Sequence, residues 1–326
     1  MGHGGGLICA PSNETITNHI PPMFPMKTTP RSSRFAVVIA SKGRPKILAE
    51  TLASVFRLEG EPKVVVVTPG AADLCDGFSS EPGLRTIVGP DGATVQRNAG
   101  IATLNLDELD AVAFFDDDVE VHPDYLMRLG ALLDARPDIV GGSGHTLRDG
   151  DISREEARSE VSRWQPSGAD HFRTEGKHWV LYGCNMFIRA SALKDVRFDE
   201  NLPSFAFAED YEISIRLRRI GSVGRFNNAV CVHLKTPSGR VNLRRVSYAM
   251  IANNLYFLRK GSVHLSRGKA ILRFWYLAFF FVPFIECGRR CRGVPWRRKL
   301  RWWEGCARAW FDLLLGRCKP SRILHL

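Results

Sequence analysis

Short apolar runs alternate with amphipathic stretches along the first part of the chain, and this alternation predicts an α/β fold. Residues 34–40, 62–67 and 111–115 are largely apolar runs, the pattern of strands that are buried on both faces. Between the first two, residues 45–56 carry leucines at helical spacing. Because strands that alternate with helices pair in parallel through right-handed crossovers, we expect a mostly parallel sheet flanked by helices.

The remaining patterns are weaker. Residues 86–88, 139–142 and 230–234 each predict a short strand, and residues 178–189 predict a strand pair around a central glycine. Residues 148–176 are polar and have no clear period. They predict a long loop or flap, which in a compact domain is usually functional or mobile.

Composition and charge narrow the class of protein. With 326 residues, 44% hydrophobic and 24% charged, the chain is large enough for a globular core. Its eight cysteines have no paired spacing, so we expect neither a disulfide framework nor a zinc site, and we expect a reducing compartment. The net charge is +11, yet residues 287–326 alone hold eleven Lys or Arg and only two Asp or Glu. The basic character therefore belongs to the C-terminal region.

These patterns divide the chain into three predicted regions. Residues 1–33 are rich in Gly, Pro, Thr and Asn, which predicts a disordered leader without a signal peptide. Residues 34–245 carry the alternating strands and helices and form the expected α/β domain. Residues 246–326 are basic, rich in tryptophan and amphipathic, so we expect helices there.

The C-terminal region has the composition of a membrane-surface segment. The apolar run 274–285 would span about 18 Å as a helix, against about 30 Å of hydrocarbon, so a crossing is not expected. The mixture of Trp and Arg that follows predicts that residues 270–326 lie on an anionic membrane surface. The alternative is that this apolar material packs on the α/β domain or on a second subunit.

Three aspartates end the run at 111–115. Asp116 and Asp118 point the same way in extended backbone while Asp117 points oppositely, so the first and third suit one hard cation. The carboxyl ends of parallel strands are also where ligands collect in open α/β sheets. The alternative is a solvated acidic turn that caps the following helix.

Two further candidates carry less information by themselves. Glu209 and Asp210 begin a predicted helix over 211–220, where acids also simply complement the helix dipole for about 0.3 to 1 kcal/mol. His233 lies near the end of an apolar strand, where histidines are more often hydrogen-bonded core residues than ligands.

Taken in chain order, seven motifs resemble those of the family-2 glycosyltransferases, which have the GT-A fold. The resemblance covers about residues 34–235, and its strength lies in the order of the motifs. They are 41–45 (SKGRP), 97–101 (RNAGI), 115–119 (FDDDV), 183–189 (GCNMFIR), 198–200 (FDE), 209–212 (EDYE) and His233.

The resemblance implies a role for each matching residue. Asp116 and Asp118 match the pair that binds the nucleotide sugar and its divalent metal, Mn²⁺ or Mg²⁺, and His233 matches a histidine that completes the metal shell. Asp210, with Glu209 beside it, matches the general base of an inverting transfer. The residues implied in donor binding are Ser41, Arg44, Arg97, Asp116 and Asp117.

The predicted function is therefore a metal-dependent glycosyltransferase of the inverting type. It would move a sugar from a nucleotide sugar to a hydroxyl of a lipid-linked or polysaccharide acceptor, at the cytoplasmic face of a membrane. The second strand is followed by Thr68-Pro69-Gly70 where many family members have an acid, so the nucleobase stays open.

Two other functions fit parts of the sequence. A sugar-1-phosphate nucleotidylyltransferase has a similar sheet and acidic site, but the loop 41–45 has one glycine where that class has a glycine-rich loop. A nucleic-acid binder would use the basic C-terminal region, whose apolar stretches fit lipid better, so no nucleic acid is expected as a partner.

Overall fold

The computed structural model places the predicted apolar runs side by side in one sheet. It describes residues 34–78, 81–150, 152–166, 172–174, 180–237, 242–262 and 266–326. The predicted leader 1–33 lies outside these residues, as does part of the predicted strand pair 178–189.

The sheet has nine strands within the described residues. The strands are β1 (Phe35–Ala40), β2 (Lys63–Thr68), β3 (Leu84–Val88), β4 (Ala111–Phe115), β5 (Val119–Val121), β6 (Ile139–Asp149), β7 (Phe172–Arg173), β8 (Asn185–Arg189) and β9 (Ser222–His233). Their spatial order is β3-β2-β1-β4-β8-β6-β9-β5, and β7 pairs with β9.

The first four strands confirm the prediction of parallel pairing, and the rest of the sheet is mixed. β1 pairs in parallel with β2 and β4, and β2 pairs in parallel with β3. β8 runs antiparallel to both β4 and β6. β6 ends at the same edge of the sheet as β4, and the chain enters β8 from that edge, so β8 must run backwards. β6 also pairs in parallel with β9, while β5 and β7 run antiparallel to β9. The predicted α/β sheet is therefore confirmed, with β5, β7 and β8 as its antiparallel strands.

Helices cover both faces of this sheet. Alternate residues of β1 enter two separate apolar clusters, one with α1 and α3 and the other with α2 and α5. The helices are α1 (Pro45–Val55), α2 (Ala93–Ala102), α3 (Tyr125–Ala135), α4 (Arg154–Arg163), α5 (Glu209–Leu217), α6 (Leu243–Lys260), α7 (Arg267–Tyr276), α8 (Cys287–Arg290) and α9 (Trp296–Leu314).

The prediction of a loop over 148–176 is wrong for most of the residues in this range that the structure describes. β6 continues to Asp149, and α4 follows it. Ser153 and Glu156 form a capping box, in which each side chain bonds the other residue's backbone N–H. Because α4 buries only Ala157 and Val161, its apolar pattern is too sparse for periodicity to reveal the helix.

The apolar run 274–285 is part of a longer helix. α7, the π-helical segment Leu277–Glu286 and α8 join into one helix, Arg267–Arg290, which we name the long helix. Its 24 residues reach about 36 Å, so the length estimate from the apolar run alone was too short. Among the described residues, this helix is long and apolar enough to span a membrane by length and composition.

The C-terminal helices pack together and on the α/β domain. Within one apolar cluster, α6 contacts α9 and the long helix, and Trp302 is fully buried. α6 crosses α9 at Gly305, where an added methyl group would overlap the Arg244 carbonyl oxygen and the Ser247 hydroxyl. Lys260, at the end of α6, forms ion pairs with Asp199 and Glu212 of the α/β domain, at 2.6 and 2.7 Å.

Candidate active site

Three of the predicted ligands meet at the carboxyl edge of the sheet. The turn after β4 carries Asp116 and Asp118, and β9 ends at His233, which pairs with the first residue of β5. The Nε2 atom of His233 lies 3.2 Å from an Asp118 oxygen and 3.9 Å from an Asp116 oxygen. One ligand atom from each of the three residues lies within 4.8 Å of the others. Two carboxylates and an imidazole at this spacing fit a divalent cation.

A fourth residue fixes the orientation of the histidine. Asp149, at the end of β6, lies 2.8 Å from Nδ1 of His233, which leaves Nε2 facing the two aspartates. The Asp149 carboxylate also accepts hydrogen bonds from the Tyr182 hydroxyl, at 2.8 Å, and from Lys235. This carboxylate–histidine arrangement is the usual support of a metal-binding imidazole.

The pKa values of His233 and Asp118 in this cluster are strongly shifted. Burial opposes the charged imidazolium, but hydrogen bonds with Asp118 and Asp149 outweigh it and raise the pKa of His233 to about 12. Burial disfavours the Asp118 carboxylate, yet the hydrogen bond and charge of His233 hold its pKa at about 2. The cluster therefore keeps Asp118 ionised.

Asp117 points away from this cluster, as its place in the alternation predicts. It is buried, and it accepts hydrogen bonds from the Ser41 hydroxyl, at 2.5 Å, and from the Arg44 guanidinium. Burial raises the pKa of Asp117 to about 6, against the opposing charge of Arg44. Ser41, Arg44 and Asp117, which the resemblance implies in donor binding, thus bind one another. They connect the loop after β1 to the turn after β4.

Arg97 lies between the cluster of Asp116, Asp118 and His233 and the predicted base. This buried side chain of α2 donates to Glu209, at 2.6 Å, to Asp116, at 3.2 Å, and to the Gly183 carbonyl, at 3.0 Å. Its guanidinium also lies over the Phe198 ring. One arginine therefore connects both carboxylate clusters.

Glu209 and Asp210 open α5 beside the turn at Gly183. The Gly183 N–H donates to the Asp210 carboxylate, at 3.2 Å, and a side chain at Gly183 would place its Cβ 2.9 Å from a Glu209 oxygen. Burial raises the pKa of Asp210 well above its ordinary range, and the neighbouring Glu209 charge adds to the shift. Burial also raises the pKa of Glu209, although the charge of Arg97 opposes it.

The loop that leads into this acidic pair has an unusual backbone. Residues 203–208, which we name the acidic-pair loop, contain Ser204, Ala206 and Ala208, and all three have positive φ, at 60°, 48° and 65°. Non-glycine residues adopt this conformation only where the surrounding structure holds them, and such strain is concentrated at functional sites. The Phe207 carbonyl accepts a hydrogen bond from Asn253 of α6, at 2.8 Å, so a C-terminal helix holds the loop.

The sequence of the α/β domain matches a known family. Residues 36–197 match the family described as Glycosyl transferase family 2. The protein is a family-2 glycosyltransferase. A comparison with curated protein sequences finds no match.

Solved structures confirm the GT-A fold of this glycosyltransferase. TarS 1–349 of S. aureus has 15% sequence identity and a TM-score of 0.52, over 83% of this chain and 78% of that one. TarS 1–349 in complex with UDP-GlcNAc has a TM-score of 0.53 and 15% sequence identity, over 82% of this chain and 78% of that one. The mannosyltransferase PcManGT from Pyrobaculum calidifontis, in complex with GDP-Man and Mn²⁺, has a TM-score of 0.51 and 15% sequence identity. The match covers 92% of this chain and 88% of that one.

Two parts of the site could not be predicted from the sequence. Asp149 falls at the start of the stretch that was predicted as a loop, and nothing in its local pattern indicates contact with a histidine 84 residues away. The backbone of Gly183, which bonds both Arg97 and Asp210, carries no side-chain signal. Parallel pairing of β6 with β9 creates the first contact, and packing of α2 and α5 beside the turn before β8 creates the second.

Proposed function

We propose that this glycosyltransferase is an inverting, metal-dependent enzyme that moves a sugar from a nucleotide sugar to an acceptor hydroxyl. The supporting observation is the pair of carboxylate clusters, one able to hold a divalent cation and one with a raised pKa, connected by Arg97. Neighbours with the same fold hold UDP-GlcNAc or GDP-Man with Mn²⁺, which supports a nucleotide-sugar donor and a divalent metal.

Asp116, Asp118 and His233 would hold Mn²⁺ or Mg²⁺ beside the donor diphosphate. When bound, the ion supplies Lewis-acid stabilisation of the leaving nucleotide. Asp149 keeps the imidazole oriented for this contact. Ser41, Arg44, Asp117 and Arg97 shape the donor side of the crevice through the bonds they make to one another and to the clusters.

Asp210 acts as the general base. It takes the proton from the acceptor hydroxyl as that oxygen attacks the anomeric carbon, while the bond from this carbon to the diphosphate breaks and the nucleoside diphosphate leaves. Because the attack and the departure occur in one displacement on opposite faces, the configuration at the anomeric carbon inverts. A raised pKa suits a carboxylate that must accept a proton near neutral pH. Glu209, which is held by Arg97, adds to the raised pKa of Asp210 and does not take the proton in our scheme.

A donor screen tests this proposal. We expect one nucleotide sugar to protect the full chain from thermal unfolding and to be hydrolysed only with Mn²⁺ or Mg²⁺. Asp118→Ala should abolish the metal-dependent part of donor binding, because it removes a buried ligand oxygen. Asp138→Ala, which removes an exposed carboxylate far from the cluster, is the matched control. Donor binding by Asp118→Ala that is undiminished but still abolished by a chelator would place the metal elsewhere.

The C-terminal helices, over residues 270–326, associate peripherally with the cytoplasmic face of an anionic membrane in this proposal. The outer face of the long helix and an adjoining stripe of α9 expose apolar side chains, and basic residues surround them. Stacking of Phe279 on Trp310 and contact of Phe284 with Trp303 make the two faces continuous. Such a surface is typical of segments that lie in the membrane interface. Its most exposed members include Leu272, Trp275, Phe280, Trp296 and Leu314.

Vesicle sedimentation tests the membrane surface. We expect the double variant Leu272→Glu, Leu314→Glu to lose binding to phosphatidylglycerol-containing vesicles at least about tenfold, because both exposed side chains would lose burial in lipid. Ile220→Glu is the matched control, since Ile220 is an exposed apolar residue of the α/β domain. Equal loss in the control, or a dimer in solution that the double variant dissociates, would contradict the membrane assignment.

A further inference from the structure

The chain leaves β9 through three residues that enclose one of the proposed metal ligands. The Leu234 N–H donates to the Asp118 carbonyl oxygen, and the Thr236 N–H donates to the Asp118 carboxylate, both at 2.9 Å. Lys235 lies between these two contacts and has a positive φ of 51°. A lysine adopts this conformation only where the surrounding structure holds it, and such residues are concentrated at functional sites. The backbone of Lys235 is therefore fixed beside the cluster that contains Asp118.

The Lys235 side chain crosses Gly150 and ends at Asp149. A Cβ added at Gly150 would lie 3.2 Å from Cδ of the lysine, so the stem lies directly over this glycine. The ammonium forms an ion pair with Oδ2 of Asp149, while Oδ1 lies 2.8 Å from Nδ1 of His233. Because 37% of the lysine side chain is exposed, its four-carbon stem is free to turn from Asp149 toward a ligand at the cluster.

Asp149 keeps its orientation without this lysine. Its Oδ1 atom contacts Nδ1 of His233 and accepts a hydrogen bond from the Tyr182 hydroxyl, each at 2.8 Å. Lys235 bonds only the other oxygen, Oδ2. Ion pairs that are this exposed contribute little to the stability of a fold. Stability alone therefore does not explain a lysine in a strained backbone conformation at this place.

The arginines that the resemblance implies in donor binding already have carboxylate partners inside the protein. Arg44 donates to Asp117 at 3.1 Å, and Arg97 donates to Glu209 at 2.6 Å. Both arginines are more buried than Lys235, whose side chain is partly open to solvent. A diphosphate carries more negative charge than a carboxylate, so it can displace the single exposed bond of the lysine.

We propose that Lys235 binds the diphosphate of the nucleotide sugar and that Asp149 holds this lysine ready while no donor is present. When the donor binds, the ammonium leaves Asp149 and donates to a β-phosphate oxygen. In the transfer, the bond from the anomeric carbon to the diphosphate breaks and its electron pair stays on the phosphate oxygen. The ammonium offsets this new charge and keeps its own proton. The assignment rests on the proposed function, because the donor must be a nucleotide sugar.

A comparison of nucleotides tests this contact without turnover. The nucleoside diphosphate and monophosphate of the same base are titrated, with Mn²⁺ present, into the full chain by calorimetry. We expect Lys235→Met to weaken diphosphate binding about ten- to hundredfold, the range for a charge-assisted hydrogen bond, and to leave monophosphate binding unchanged. Lys235→Arg keeps the charge and should restore most of the diphosphate affinity. Undiminished diphosphate binding by Lys235→Met, or an equal loss for both nucleotides, would overturn the proposal.

The matched control is Lys63→Met. Lys63 is a similarly exposed lysine that pairs with one carboxylate, Glu108, but it begins β2 and so lies at the opposite edge of the sheet. Its loss should change neither nucleotide affinity. A drop in diphosphate affinity equal to that of Lys235→Met would mean that overall charge attracts the nucleotide, and the contact at Lys235 would be refuted.

A metal titration separates a phosphate contact from a structural role of the lysine. Binding of Mn²⁺ without nucleotide, followed by electron paramagnetic resonance, should be retained in Lys235→Met and weakened in Asp149→Asn. If both variants lose Mn²⁺ affinity alike, Lys235 only positions Asp149 and the proposal is wrong.

The proposed function has its own readout in the wild-type protein. If no nucleoside diphosphate of the common bases binds with Mn²⁺, the proposed function fails and the role of Lys235 fails with it. If one of them binds the wild-type protein and binds Lys235→Met equally well, only the role of Lys235 fails.

Discussion

Two buried carboxylate clusters face each other across Arg97, and their environments are opposite. Asp118 is hydrogen-bonded to His233 and to the Thr236 backbone N–H, and these bonds lower its pKa although burial opposes them. Asp210 receives two backbone N–H groups, from Gly183 and Tyr211, but burial and the Glu209 charge dominate and its pKa is raised. The same chemical group is thus kept ionised in one cluster and made more basic in the other.

The largest expected effect comes from removing the proposed base, Asp210. Asp210→Asn keeps the side-chain shape but cannot accept a proton, so single-turnover transfer should fall about 10²- to 10⁴-fold with little change in donor affinity. Glu209→Gln is the matched comparison, and it should reduce transfer less. Near-normal transfer in Asp210→Asn together with collapse in Glu209→Gln would move the base to Glu209.

Loss of the histidine support should have the next largest effect. Asp149→Asn leaves Asp116, Asp118 and His233 in place but weakens the hold on Nδ1, so metal affinity should fall about 10- to 100-fold. Metal titration followed by donor binding measures this change. Tyr182→Phe removes only a neutral hydrogen bond to Asp149 and should cost less. Equal losses in the two variants would show that Asp149 acts through Tyr182 instead.

A third test concerns the turn between the clusters. Gly183→Ala places a methyl group against the Glu209 carboxylate, which Arg97 holds in place, so both clusters should be disturbed together. We expect lower transfer and weaker metal-dependent donor binding in the same variant. A change in only one of these two readouts would indicate that Arg97 does not couple the clusters.

The smallest expected effect is on stability. Because the folded-state pKa of Asp210 is raised, its carboxylate destabilises the fold as pH increases from the unfolded pKa through the folded one. Asp210→Asn should therefore raise the thermal midpoint at neutral pH, and the gain should vanish in acid, where the wild-type group is protonated in both states. A gain that persists at low pH would contradict the pKa assignment. For the same reason, wild-type transfer should fall as pH decreases through the raised pKa.

The sequence predicts the placement of Asp116 and Asp118 better than it predicts the environment of Asp210. Asp116 and Asp118 follow an unbroken buried strand, so alternation alone gives their direction, and parallel pairing gives their edge of the sheet. The environment of Asp210 depends on Arg97, which is more than a hundred residues away in the sequence, and on Gly183, which is about thirty residues away. Local patterns hold no information on such contacts, which arise when strands of both directions share one sheet.

The C-terminal helices show a similar limit. Trp and Arg at helical spacing indicate an amphipathic surface, but the twelve-residue apolar run gives no sign that the helix continues through polar residues on both sides. Packing against α6 provides that continuation, because Ala270 and Glu286 at its two ends are buried.

The close crossing at Gly305 gives a far region control over the catalytic chemistry. α6 holds the acidic-pair loop through Asn253, and α9 can approach α6 only because position 305 has no side chain. A single added methyl group would separate the two helices and loosen the acidic-pair loop, which leads into Asp210. In a saturation-mutagenesis library, this position should tolerate almost no replacement, although it contacts neither substrate.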